Sequence, residues 1–132
     1  MPAYVTDTHP VVWYASRNHA KLSRRVLRAF DMAARDEALI YIPAVVLWEI
    51  GLLSKLGRIK LREPFDQWAA ALLSKPGFQI IPLDAELVAR AVSLSLDDPF
   101  DAAVVACALS CDLQLMTKDL AISESGLVKI LW

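Results

Sequence analysis

The chain has 132 residues, a mass of 14.6 kDa and a formal net charge of −1, and 56% of its residues are apolar or aromatic. Such composition excludes a disordered chain, because burial can offset the entropy of ordering it, and the length suits one domain over residues 1–132. The balanced charge excludes a general basic coat for nucleic acid. The longest apolar run, Leu39 to Trp48, contains Pro43 and is about half a bilayer span, so no membrane segment and a cytoplasmic location are expected.

Short strand-like runs alternate with helical periods. Tyr4-Val5-Thr6 reads as a first strand ending at Asp7, with a short helix starting near Thr8. Residues 20–36 place Leu22, Val26, Phe30 and Ala33 on one stripe and predict a helix. Leu39 to Ile42 reads as a second strand, and Pro43 suits the first position of a helix running to about Leu56 and stopped by Gly57. Another helix covers residues 64–74 and is broken by Pro76-Gly77. Phe78 to Ile81 is strand-like, followed by a helix over 84–95. Asp98-Pro99 opens a helix to about Ser110, and Leu113–Met116 and Leu127–Leu131 complete the strands.

This alternation predicts an α/β chain, a three-layer α/β/α sandwich around a mostly parallel sheet with right-handed crossovers. Chemistry in such sheets gathers at the carboxyl ends of the strands. Four acids stand near those ends: Asp7 after the first strand, Glu49 two turns into the helix after the second, Asp101 in the first turn of the Asp98-Pro99 helix, and Asp119 after the fourth. Carboxylates gathered in one cleft repel and resist ionisation, so the cluster calls for protons or cations. Mg²⁺ or Mn²⁺ prefers all-oxygen donors and activates water towards phosphoryl centres. Local rules offer plainer roles: Asp98 with Asp101 imitates a capping pair, Asp7 can cap a helix, Glu49 can be a surface residue, and Asp119 can form a turn.

The ordered segments TDTHPVVW, VLWEIGLLSKLGRI, DPFDAAVVACAL and LMTKD, spread over residues 4–119, resemble the PIN-domain family, specifically VapC-type toxins. The resemblance implies a metal-dependent endoribonuclease that uses Mg²⁺ or Mn²⁺, is neutralised by a cognate antitoxin and usually forms a homodimer. It places the metal-binding and catalytic acids on Asp7, Glu49, Asp101 and Asp119, with Asp98, Thr8 and Thr117 as accessories. Relatives with the DPFD motif often continue with arginine, whereas this chain has Ala102.

Contact with RNA needs local positive charge, and Lys55, Arg58, Lys60 and Arg62 crowd the segment after the Glu49 helix. The first three are the candidate phosphate contacts; the plainer reading is a solvated loop. His9, next to the first acid, reads either as a residue of the cleft rim or, more plainly, as a structural histidine. Trp13, Trp48, Trp68 and Trp132 are not interleaved with basic residues and read as core or interface anchors rather than stacking platforms. Cys107 and Cys111 read as small buried hydrophobes. A catalytically silent module binding RNA or an antitoxin is the alternative. A haloacid-dehalogenase-type phosphatase fails, because Asp7 is followed by Thr8 and His9 rather than by an acid two residues on.

Overall fold

The computed structural model describes Met1–Trp132. Its strands β1 (Ala3–Thr6), β2 (Leu39–Pro43), β3 (Phe78–Ile81), β4 (Leu115–Met116) and β5 (Ile130–Leu131) form one sheet in the order β3-β2-β1-β4-β5. Every neighbouring pair is parallel, with Val5 opposite both Tyr41 and Leu115, and Thr6 opposite Met116. All five strands therefore end at the same edge. From β1 the chain builds the sheet outward on one side through β2 and β3, then returns to lay β4 and β5 on the other. The crevice between β1 and β4 is the switch point where such sheets bind ligands.

The strands form because they are apolar on both faces, as a covered parallel sheet requires: Val5, Ile40, Ile42, Leu115 and Met116 are fully buried. Helices α1 (Thr8–Ala15), α2 (Arg24–Ala34), α3 (Ala44–Lys55), α4 (Phe65–Leu73), α5 (Ala85–Ser93), α6 (Pro99–Cys111) and α7 (Leu120–Ser125) cover it, giving the expected α/β/α architecture. Helix α1 packs against both α2 and α3, α3 against α4 and α6, and α5 along α6. α2 is one-sided, burying Val26, Ala29, Phe30 and Ala33 while Arg24, Arg25 and Arg28 face solvent. α6 is apolar all round, and its unbroken buried run from Ala102 to Ala108 makes it the central helix. Gly77 permits β3 to enter beneath α2, since a Cβ there would stand 2.0 Å from the Ala33 carbonyl oxygen. No helix is long and apolar enough to cross a membrane.

Several boundaries differ from those expected. The helix expected over 20–36 is a 3-10 turn (His19–Lys21) and then α2, because Leu22 is extended and the Ser23 hydroxyl caps the new start by accepting from the Val26 N–H. Pro43 is the last residue of β2 rather than the first of α3; it precedes a helix start that has no side-chain cap. β4 and β5 are two residues each, shorter than the runs expected, because they overlap only over that length. α7 was not expected at all. Cys107 is buried as expected, but Cys111 lies exposed at the end of α6, one residue before the left-handed Asp112.

Candidate active site

Four helices have an aspartate as N-cap; Asp84 starts α5, and the other three start among the candidate acids. Asp7 leaves β1 in an extended conformation and its Oδ1 accepts from the Thr8 N–H at 2.8 Å, starting α1. Asp98 Oδ1 accepts from the N–H groups of Phe100 and Asp101 at 2.9 and 3.0 Å, with Pro99 as the first residue of α6. Asp119 Oδ1 accepts from the Ile122 N–H at 3.0 Å, starting α7. The capping roles that local rules suggested for Asp7 and Asp98 are therefore present. They do not compete with clustering: a helix N-terminus carries partial positive charge, and three of them directed at one edge offset repulsion among the acids.

The only buried polar residues of the chain, Thr6, Thr8 and Thr117, all adjoin this edge. The Thr117 hydroxyl donates to Asp7 Oδ2 at 2.7 Å and accepts from the Asp119 N–H at 3.0 Å, so one oxygen ties the first acid to the last across the switch point. The backbone agrees, since the Asp7 N–H donates to the Met116 carbonyl at 3.0 Å. The Thr8 hydroxyl donates to Glu49 Oε1, linking α1 to α3. Contact between α3 and α6 brings the Glu49 helix towards Asp101. Thr8 and Thr117, the accessories suggested in the sequence, thus hold carboxylates directly.

Asp101 stands apart. Burial, then the charges of Asp119, Asp98, Asp7 and Glu49, push its carboxyl up to about 7, and no hydrogen bond opposes them. Burial also raises Asp7, against the hydrogen bonds from Thr117 and Thr8, with Asp119 adding to the rise and His9 opposing it. Every acid singled out in the sequence is therefore within electrostatic reach of Asp101. As the side chains stand, no three or more His, Cys, Asp or Glu side chains are grouped closely enough to hold one metal ion among themselves. The donor set still fits magnesium, which takes oxygen ligands, keeps several waters and needs only one or two direct carboxylates.

A cleft of about 310 Å³ opens beside these groups, lined by Asp7, His9, Trp13, Thr117, Lys118 and Asp119 together with Pro10. His9 is exposed on its lip, 5.6 Å from the Trp13 ring, which corrects its plainer reading as a structural histidine. Trp13 carries the ammonium of Lys118 at 4.9 Å and that of Lys21 at 5.5 Å, contacts worth about 0.5–1 kcal/mol each at exposed sites. Lys118 is remote from Trp13 in sequence and Lys21 lies beyond the end of α1, so looking for interleaved residues along the chain missed both. Trp68 is buried as expected, whereas Trp48 is 60% exposed.

The basic residues singled out in the sequence lie elsewhere. Lys60 lines a separate cleft of about 250 Å³ with Arg17, Arg62 and Lys75, while Lys55 is exposed at the last residue of α3 and Arg58 is exposed just beyond it. Ala102 is 5% exposed and lines a third cavity, an apolar groove of about 390 Å³ bordered by Val45, Trp48, Leu83, Val88, Val92 and Phe100. It does not line the acidic cleft.

A family model described as PIN domain matches residues 4–126. No curated protein matches the chain in sequence. Among solved structures, the chain is similar to VapBC2 from Rickettsia felis bound to a promoter DNA fragment, at 15% identity and a TM-score of 0.69, covering 98% of this chain and 97% of that one. It is similar to VapC20 from Mycobacterium tuberculosis, described as a sarcin–ricin loop cleaving toxin, at 20% identity and a TM-score of 0.63, covering 96% and 98%. FitAcB from Neisseria gonorrhoeae matches at 17% identity and a TM-score of 0.62, covering 98% and 96%.

Proposed function

The chain belongs to the PIN domain family, and from that premise we propose that it is a metal-dependent endoribonuclease, the toxin of a type II toxin–antitoxin pair. The observation that carries the reading is the tie between Asp7 and Asp119 through the Thr117 hydroxyl at the switch point, with Asp101 charge-coupled to both. Such a group of acids is costly to the fold without a cation and suited to phosphodiester chemistry with one. A neighbour described as cleaving the sarcin–ricin loop supports RNA as the substrate class.

In this reading Asp7, Glu49, Asp101 and Asp119 would hold one or two Mg²⁺ or Mn²⁺ ions, which would supply charge neutralisation, Lewis acidity towards the phosphodiester and a more acidic water. The chain's own residues fix the geometry. Thr117 orients Asp7 through Oδ2, Thr8 orients Glu49 through Oε1, and Asp98 anchors the start of α6 so that Asp101 is presented from its first turn. Lys55, Arg58 and Lys60 belong to the proposal only as outlying contacts for a longer strand.

The proposal also includes one domain over residues 1–132, a cytoplasmic setting, a cognate antitoxin and a homodimer. Neighbours solved as toxin–antitoxin complexes support the antitoxin. The large apolar side chains exposed around the groove, Trp48, Leu83, Val88 and Val92, support a second copy of the chain as its cover. The test is cleavage of end-labelled RNA by protein stripped with chelator. Activity should be absent, return with Mg²⁺ or Mn²⁺, and fail to return with Ca²⁺-free buffer alone. Binding of RNA or antitoxin without cleavage under every metal condition would favour the silent module.

A further inference from the structure

Lys118 sits between Thr117 and Asp119, yet its ammonium pairs with no carboxylate; the one salt bridge of the chain joins Arg35 to Glu37. The ammonium stands instead 4.9 Å from the Trp13 ring centre and 5.9 Å from that of Trp132, whose rings meet edge to face. Of the residues lining the acidic cleft, Lys118 is the only lysine or arginine. Lys21 reaches the same Trp13 ring at 5.5 Å from outside that lining.

This arrangement answers a difficulty inherent in the site. An RNA strand carries a negative charge at every nucleotide, and the acids that hold a metal repel it on both sides of the cleaved bond. A fixed cation at the cleft wall offsets that repulsion. Resting on aromatic faces limits the lysine's conformers before RNA arrives and holds it away from Asp119. We infer that Lys118, held over Trp13 at the wall of the acidic cleft, binds an RNA phosphate next to the one that is cleaved. This rests on the nuclease reading above. Trp13 is then a positioning residue that acts through Lys118, and Lys21 extends the positive rim.

The test separates binding from cleavage. A labelled single-stranded RNA of mixed sequence is titrated by fluorescence anisotropy, in chelator and across a series of KCl concentrations, against Asp101→Asn and Asp101→Asn/Lys118→Gln proteins. Loss of one phosphate contact should weaken binding by about fivefold at low salt and reduce the slope of log K against log salt by about 0.7. Lys118→Arg should keep the slope. In the otherwise native chain, Lys118→Gln should raise KM several-fold with kcat within about twofold, the pattern of a lost binding contact. Trp13→Ala should weaken binding and Trp13→Phe, which keeps an aromatic face, should restore most of it. An unchanged slope and affinity in Lys118→Gln, or an equal loss in Lys118→Arg, overturns the assignment. If the native chain cuts RNA and Lys118→Gln is unaltered, the inference fails and the nuclease reading stands. If Lys118-dependent binding occurs but no metal condition gives cleavage, the nuclease reading fails and the phosphate contact stands. Absence of RNA binding in all backgrounds overturns the inference.

Discussion

The acidic cleft and the apolar groove are served by adjacent residues of one helix. In α3, Glu49 accepts a hydrogen bond from Thr8, while Trp48 is 60% exposed and turned onto Phe100 at 5.6 Å. Successive helix residues point about 100° apart, so one turn of α3 divides the molecule into two kinds of surface. The cleft assembles groups that repel one another and relies on hydroxyls and helix starts to hold them. The groove assembles groups that gain by leaving water and needs no specific hydrogen bonds. The first is therefore expected to be chemically exacting and sensitive to single atoms, and the second tolerant of shape but sensitive to charge.

The largest expected effect lies in the cleft. Asp101→Asn keeps the side-chain shape, removes the charge and caps no helix, so RNA cleavage should fall by more than about 100-fold, with the circular dichroism spectrum unchanged. Cleavage at the native rate by this variant would remove the acids from the chemistry altogether.

The groove should answer differently. Trp48→Asp or Val92→Asp places a charge on the face proposed to meet a second copy and should weaken dimerisation by about tenfold or more, read as a fall in mass by light scattering. Both side chains are exposed, at 60% and 80%, so the monomer should fold normally. An unchanged mass across dilution would show that a second copy does not cover this face.

The smallest effect is in stability without metal. Asp101 titrates at about 7 in the folded chain against an ordinary value of 3.8, so between those limits the folded state holds a proton that the unfolded state has lost. Stability in chelator should therefore be greatest below about pH 4, decline as the pH rises towards 7 and level off above it. Asp7, also raised, acts in the same direction. Asp101→Asn should flatten part of the decline in urea midpoints measured at pH 5 and pH 8. The change should be modest, because Asp101 is partly exposed and water screens its charge.

What could be read from the sequence follows the same division. Asp7 and Asp98 were legible because strand ends and helix starts are local, and Glu49 because a glutamate after ten apolar residues is conspicuous. Asp119 was legible as an acid past a strand, but not as the cap of α7, since its partner Ile122 belongs to a helix of only six residues. The Lys118–Trp13 contact was not legible, because the two residues meet only after β4 has been laid beside β1. The exposure of Trp48 was hidden for the opposite reason: its neighbours Val46 and Ile50 are buried, and a run of apolar residues does not reveal which one the helix turns outward. Likewise, a four-residue spacing did not reveal that Cys111, unlike Cys107, falls at an exposed helix end.

The three capping aspartates among the candidate acids have a consequence for how such chains drift. Removing Asp7, Asp98 or Asp119 to a residue that cannot cap costs about 0.5–2 kcal/mol of folding free energy whether or not RNA is ever cut. Their persistence is therefore weak testimony to enzymatic work, since a chain that had lost its trade would still keep them for its architecture. Asp101 caps nothing and its carboxylate accepts no hydrogen bond, whereas Glu49 still serves the buried Thr8 hydroxyl, so a lineage released from hydrolysis could discard Asp101 most freely. That position is where idleness would first be written.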